Sequence, residues 1–384
     1  MNVYIIRNAE VYSNANMIRI IEALHSNFDL SIISRVRESK TSYSRKGIYS
    51  RNKFTLNKNE FDNYEIHIKS EMGKGLKNII QLLTYEMYLF ITLLIKRKDI
   101  DIIHAFDLDC GLASILFSKI FKKKVVYHIA DFYVDSRPGI PNKLKNIVKK
   151  LEYCLIEKAD SVIICTEKRV EQIKGSKPKR LSIIHNVPIS NLDLVNSKIE
   201  MPLDLMKTKK VSIGYVGGLS KIHFTKEILN AIKSKDDVFL NIAGYGDLAS
   251  YVNEISKACP HIKYYGRIEY NSAMLLYSHS DLMLMIYDPS VPNHKYSAPN
   301  KIYEAMMLGK AIIVVNNTGI DEIVRNENMG LVIEFTEEAL SYAINYIVNN
   351  PNELEKMKRN AKNAYKKFSW EEMRARIISV YEEL

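Results

Sequence analysis

The sequence predicts an α/β protein with two doubly wound parallel-sheet domains, and three observations predict it. Short apolar runs suited to buried strands alternate with amphipathic helical stretches along most of the chain, which is the pattern of βαβ units. That rhythm breaks once, between Asn186 and Lys210, where Pro188, Pro202 and several Asn and Ser residues follow no sustained period, as a linker would. The length of 384 residues suits two or three domains, and 47% apolar with 26% charged residues is a globular composition that excludes disorder as the main state.

In the first half, strands are expected near Val3-Ile6, Leu30-Ile33, Glu65-Ile68, Ile102-His104, Val125-Tyr127, Ser161-Ile164 and Ser182-Ile184, with helices near 15-25, 75-95, 109-120 and 142-157. In the second half, strands are expected near Ser212-Val216, Phe239-Ala243, Ile262-Tyr265, Leu282-Ile286, Ala311-Val314 and Leu331-Ile333. Helices near 336-348, 352-364 and 370-382 then exceed what a six-stranded sheet needs to cover itself. The domains expected are residues 1-190, a linker at 191-210, residues 211-365, and a terminal helix at 366-384 that packs back toward the first domain. Two Rossmann-like domains arranged in this way would face each other across a cleft, with ligands at the carboxyl ends of the strands.

The formal charge of +11 falls entirely on residues 1-200, and residues 201-384 are neutral. Clusters such as Lys96-Arg97-Lys98, Lys122-Lys123-Lys124 and Lys149-Lys150 suit nucleic acid, a phosphorylated substrate or an anionic membrane leaflet, or else form a solvated face. The four cysteines lie far apart and form no CxxC pair or disulfide framework, which points to a reducing cytoplasm. The opening MNVYIIRNAEV has no basic n-region or apolar h-region, so no secretion signal is expected. The apolar stretch Ile79 to Ile95 is interrupted by Gln81, Thr84 and Glu86, and reads as a buried or interfacial helix and not a span.

The segment Ser297-Ala-Pro-Asn-Lys-Ile-Tyr-Glu-Ala-Met-Met-Leu-Gly-Lys-Ala-Ile-Ile-Val314 carries the most chemistry. Pro299 suits the first turn of a helix, which leaves free amides near Asn300 and Lys301 and the positive end of a helix dipole, a site for a diphosphate. Glu304 is one turn further on the same face, at a depth to accept two hydrogen bonds from a ribose diol. A carboxylate flanked by Ile302, Tyr303, Ala305 and Met306 is costly without such a partner. Gly244-Tyr-Gly246-Asp-Leu-Ala249 fits G-x-G-x-x-A, but the next strand ends in Gly266 where a dinucleotide fold would want an acid, so it is expected to be a loop under a nucleotide base. The sequence holds no P-loop, HExxH, EF-hand loop or nucleophile elbow.

From Gly214 to Ile333 these pieces resemble the donor-binding domain of the retaining glycosyltransferases of family 4, also called group 1, which have the GT-B fold. The matching stretches are GYVGGLS, FLNIAGYGDL, IKYYGRIEYNSAMLLYSHSDLMLMIY and APNKIYEAMMLGKAIIVVNNTGIDEIV, followed by the tail FSWEEMRARIISVYEEL. The first half resembles the family more loosely, through DIIHAFDLD at 101-109, VVYHIADFY at 125-133 and IIHNVP at 183-188. Two positions depart from the family pattern. Tyr296 stands where the first of two acids eight apart is frequent, so only Glu304 remains, and Gly218 and His223 stand where an Arg and a Lys usually hold the donor diphosphate.

The resemblance implies metal-independent, retaining transfer of a sugar from a nucleotide-diphosphate donor to a glycan or polyprenyl-linked glycolipid acceptor. The expected setting is the cytoplasm at the inner face of the plasma membrane, in capsule, O-antigen or exopolysaccharide synthesis, with no cofactor, no nucleic acid and peripheral contact with an anionic membrane. The departing diphosphate needs neutralising, and Lys221, His223, Arg267 and Lys301 are the replacements available, with Lys301 and His223 favoured. Gly217-Gly218 after a strand permits a ligand's close approach or simply makes a tight turn. Asp131 is positioned to orient or deprotonate the acceptor hydroxyl, or to stabilise its own turn. Ser13, Asn14, Asn16 and Asp107, with Asp109, are expected to reach the acceptor, and His104 to be a satisfied core histidine. A sugar-nucleotide epimerase of related fold, or a nucleotide-sugar-binding subunit without catalysis, are the alternatives.

Overall fold

The computed structural model describes residues 1–37, 48–69, 79–137, 139–189 and 199–384. Residues 75–78 of the second expected helix and 191–198 of the expected linker lie outside the described residues. The chain divides into two compact units, Met1–His185 with Met373–Leu384, and Asn186–Glu372. Among the described residues no helix is long and apolar enough to cross a membrane.

The first unit runs β1 (Asn2–Arg7), α1 (Ala15–Leu24), β2 (Asp29–Val36), β3 (Tyr49–Leu56), β4 (Asn59–His67), α2 (Ile79–Ile95), β5 (Ile102–Phe106), α3 (Leu108–Phe121), β6 (Lys124–Ile129), α4 (Asn142–Lys158), β7 (Ser161–Ile164), α5 (Arg169–Ile173) and β8 (Leu181–Ile183). Its sheet has the order β3-β4-β2-β1-β5-β6-β7-β8. Strands β5, β6 and β7 read as nearly unbroken apolar runs because helices cover both faces of a parallel sheet. The expectation of a purely parallel sheet needs one correction, since β3 is an antiparallel edge strand paired with β4. Its sequence, YSRNKFTL, lacks the apolar alternation that betrays a half-buried strand, because almost all of it is exposed. The turn is instead marked by Asn57 and Lys58, both at positive φ, as a two-residue hairpin with the twist of its strands requires.

Helix α2 turns Tyr85, Leu89 and Leu93 into the core together with the polar Glu86 and Thr92. Glu86 accepts a hydrogen bond from the Ala113 amide at 2.9 Å, and Glu152 of α4 accepts from Tyr127 Oη and the Tyr133 amide. Burial pushes both carboxyls up to about 8. Their native pKa values therefore exceed those of the unfolded chain, so the folded state holds extra protons and stability falls as pH rises toward and through 8. The buried His104 and His128 are shifted downward and act below their ordinary value of 6.5. Chemical denaturation between pH 6.5 and 8 should show the wild type weakening, and Glu86→Gln/Glu152→Gln should flatten that slope; an unchanged slope would show that neither group titrates there.

The second unit comprises α6 (Leu203–Lys207), β9 (Val211–Gly218), α7 (Thr225–Ile232), β10 (Val238–Tyr245), α8 (Ala249–Ala258), β11 (Ile262–Tyr264), α9 (Tyr270–Ser278), β12 (Leu282–Met285), α10 (Asn300–Leu308), β13 (Ala311–Val315), α11 (Asp321–Glu327), β14 (Gly330–Ile333), α12 (Glu337–Asn349) and α13 (Pro351–Ala364), and leads into α14 (Trp370–Glu382). Helix α6 falls inside the stretch read as linker. The sheet is parallel throughout, in the order β11-β10-β9-β12-β13-β14, the doubly wound arrangement whose order reverses beside its first strand. The surplus helices pack on this unit, α12 on α7 and α13 on α10 and β13.

From Met373 onward the terminal residues belong to the first unit. Tyr381 meets His104 through its hydroxyl, and Arg376 donates to the Ile183 carbonyl at 3.4 Å.

Candidate functional site

The reversal in the second sheet lies between β9 and β12, which pair through Ile213 with Leu282 and Gly214 with Met283. In an open α/β sheet the ligand crevice opens beyond the carboxyl ends of such strands. Strand β9 ends on Gly217 and Gly218 themselves, paired with Gly244 and Tyr245 of β10. The glycine pair and Gly244 thus belong to strands, where a turn and a loop were expected. Gly244 has φ +149°, and a Cβ on it would stand 1.8 Å from the Gly217 carbonyl oxygen. Only glycine lets the two strand ends approach this closely.

Two side chains cover the bare end of β9. Lys301 Nζ lies 2.8 Å from the point a Cβ on Gly217 would occupy, and the His223 ring lies 2.8 Å from the corresponding point on Gly218. The Tyr215 and Tyr287 rings stand 5.8 and 6.0 Å from Lys301 Nζ. Tyr287 is also 6.0 Å from the His223 ring and 5.2 Å from that of His294. His223 sits in the 3-10 turn Lys221–His223, sharing a 2.8 Å hydrogen bond with Ser220 Oγ. The stretch after β12 is tied to this turn by the Asp288 amide, which donates to the Ile222 carbonyl.

Burial, then the Lys301 charge, then His294 push the His223 imidazole down to about 4. This corrects the expectation of two cations: at neutral pH His223 is an uncharged hydrogen-bonding ring, and Lys301 carries the positive charge. Helix α10 opens at Asn300 with Pro299 as its cap residue and not within its first turn. Its first amides cannot find partners inside the helix. Glu304 is buried one turn on, at 5% exposure. Its charge adds to burial in raising the Tyr277 phenol, and that phenol bonds both the amide and the carbonyl of Val216, next to Gly217.

The fold therefore assembles Gly217, Gly218, His223, Gly244 and Lys301, with Glu304 behind them. Arg267 stands one residue outward, its guanidinium 5.0 Å from the Tyr245 ring centroid. Lys221 is exposed and is held through its carbonyl, which accepts from Phe224. Sequence reasoning missed Tyr215, Tyr277, Tyr287 and Ser220. Tyr287, two residues past β12, carried the one usable signal, because it follows a strand bordering the reversal.

In the first unit, Asp107 caps α3 at φ +57° and accepts from the Ala130 and Asp131 amides at 2.8 and 2.9 Å. Its other oxygen is 3.5 Å from Arg7. Burial, partly offset by Arg7 and reinforced by Asp131, pushes Asp107 up to about 6. This carboxylate shapes the loop that carries Asp131, which is half-buried. Asn14 caps α1, accepting from the Met17 amide at 3.1 Å, and Asn16 accepts from Arg19. Ser13 lies in a short 3-10 turn, and its side chain is outside the described residues. Asp109 pairs with Arg137 at 2.8 Å, and His104 is buried between Tyr381 and His128.

Residues 200–364 match the family described as glycosyl transferases group 1. No curated protein matches the chain by sequence. Among solved structures the chain is similar to the sucrose-phosphate synthase of Thermosynechococcus elongatus, at 15% identity and TM-score 0.74, covering 100% of this chain and 98% of that one. A trehalose-6-phosphate protein of E. coli, bound with UDP-2-fluoro glucose, is similar at 10% identity and TM-score 0.75, covering 100% and 99%. HepE of Anabaena, in complex with UDP and glucose, is similar at 15% identity and TM-score 0.68, covering the whole of both chains. Likeness at these identities shows the fold, two Rossmann-like parallel-sheet domains as in GT-B proteins.

Proposed function

We propose that this chain is a glycosyltransferase whose second unit binds a nucleotide-diphosphate sugar at the ends of β9 and β12. The observation that carries the reading is Lys301 Nζ lying over Gly217 at the sheet's reversal, beside the opening turn of α10. In transfer, the bond from the anomeric carbon to the diphosphate breaks with its electron pair passing to the phosphate oxygen. The acceptor hydroxyl oxygen forms the new bond to the anomeric carbon, and its proton passes to the departing diphosphate. Charge grows on the leaving oxygen, and a cation with amides already aimed at it lowers that barrier most where water is excluded. Lys301, the amides of Gly218, Asn300 and Lys301, and a neutral His223 donating a hydrogen bond fill this role, with Arg267 at the outer end.

Glu304 is the proposed partner of the ribose or the sugar, and Asp131 of the first unit that of the acceptor hydroxyl. The finer reading is retaining, metal-independent transfer to a glycan or polyprenyl-linked acceptor in cell-surface polysaccharide synthesis, and it is supported by the sequence resemblance alone. Uridine is the first base to test, since the HepE and E. coli structures hold UDP or a UDP-sugar.

A panel of nucleoside diphosphates and their sugars should raise the melting temperature for one base, because a ligand bound to the native state alone stabilises it. Lys301→Ala should weaken that binding about 10- to 150-fold, the equivalent of one charge-assisted hydrogen bond. Slow hydrolysis of the matching donor supports transfer. An isomerised nucleotide sugar would instead mark an epimerase, binding without turnover a subunit that does not catalyse, and absence of any nucleotide shift would overturn the proposal.

A further inference from the structure

We infer that the outer surface of α2, α3 and α4 in the first unit is a docking face for an anionic lipid bilayer. The exposed positions of α2 are Ile79, Ile80, Leu83, Met87, Ile91 and Ile95, all apolar, with Ile80 75% exposed. A helix that only covers a sheet turns polar residues fully to water, whereas the polar Gln81 and Thr84 of α2 are only half-exposed. Helix α3, packed beside it, continues the surface through Leu112, Leu116 and Ile120, four apart and so on one face. Helix α4, packed on α3, adds Ile147 and Leu151, also four apart, with Ile147 65% exposed. Exposed apolar rows on three helices packed in succession, α2 on α3 and α3 on α4, exceed the scattered single residues of an ordinary exterior.

The charges of the same helices are sorted by sign. Of the four acids within them, Glu86, Asp109 and Glu152 are buried and only Glu157 is exposed, while Asp99 and Asp101 are exposed after the end of α2 and are outnumbered there by the bases. The bases face outward. Helices α2 and α3 each lead into a parallel strand, so they run in the same direction and release Lys96-Arg97-Lys98 and Lys122-Lys123-Lys124 at the same edge of the sheet. Arg97, Lys98, Lys122 and Lys124 are exposed there, and Lys143 and Lys150 are exposed on α4. An apolar face rimmed by lysine and arginine complements the hydrocarbon and the negative headgroups of an anionic leaflet together. A second copy of the chain is a poorer match, because a symmetric contact would bring the same basic rims together. This inference does not depend on the donor reading, and its test reads binding and not activity.

Full-length protein should co-sediment with vesicles containing about 30% phosphatidylglycerol and remain free of pure phosphatidylcholine vesicles. Leu83→Glu/Leu116→Glu should reduce the partition coefficient at least about tenfold, because each charge must enter the apolar boundary. Arg97→Gln/Lys98→Gln/Lys122→Gln should reduce it several-fold and blunt its salt dependence. All these positions are exposed, so an unchanged melting temperature shows that each variant is folded. Protein that stays in the supernatant with every lipid overturns the inference, as does equal binding to neutral vesicles. Dimers in light scattering that Leu83→Glu/Leu116→Glu dissolves, without lipid binding by the wild type, would assign the face to a second copy and overturn it as well.

Discussion

Glu304→Gln should cut the rate of sugar transfer about 10- to 150-fold while leaving the melting temperature near that of the wild type. The magnitude is the roughly 1.5 to 3 kcal/mol of one hydrogen bond to a charged group, read through the tenfold change in rate per 1.36 kcal/mol. The small effect on stability follows from shape, since glutamine fills the same space in a helix whose neighbours Ile302, Tyr303, Ala305 and Met306 are buried. The variant also separates the two partners proposed for this carboxylate. If it holds the ribose, affinity for the nucleoside diphosphate alone will fall with the rate; if it holds the sugar, only the nucleotide sugar will bind more weakly. Turnover equal to the wild type would remove Glu304 from the site.

Gly244→Ala should be among the most damaging single methyl additions to the second unit. The new carbon would lie 1.8 Å from the Gly217 carbonyl oxygen, on a residue whose φ of +149° side chains rarely adopt. Backbone strain of about 1 to 3 kcal/mol and overpacking of about 1 to 3 kcal/mol together give a loss of about 2 to 6 kcal/mol. For a unit of this size that lowers the melting temperature by roughly 5 to 20 °C. Nucleotide binding should fail in step, because relief of the clash moves Gly217 from under Lys301. Gly139→Ala is the matched control, since nothing lies within 4 Å of its added carbon. A Gly244→Ala protein that melts like the wild type would mean that the strand ends are not held this close.

The sheets were legible from sequence where burial is two-sided. Strands β5, β6, β7, β12 and β13 are apolar along their length because both faces are covered, so a run such as AIIVV cannot be read as anything exposed. The hairpin strand β3 was not legible, because an exposed edge strand has no such constraint and its turn depends on the backbone angles of Asn57 and Lys58. Within the site, the Asn300, Lys301 and Glu304 helix was readable from its punctuation and its out-of-place carboxylate.

By itself, then, the sequence determined the order of the buried strands, the glycines near their ends, the confinement of net positive charge to residues 1-200, and the segment that carries the candidate donor site. Those properties follow from local periodicity and residue chemistry, which need no partner distant in the chain. Only the tertiary structure decided that Lys301 covers Gly217 from 84 residues away and that Tyr277 and Tyr287 line the same strand end. It also decided that His223 is neutral, since burial and the neighbouring ammonium set its charge. Helices α2, α3 and α4 show the same division. Each is unremarkable when read alone as an apolar or amphipathic stretch, and the outward apolar surface exists only because packing on one sheet turns their acids inward and sets their exposed rows side by side.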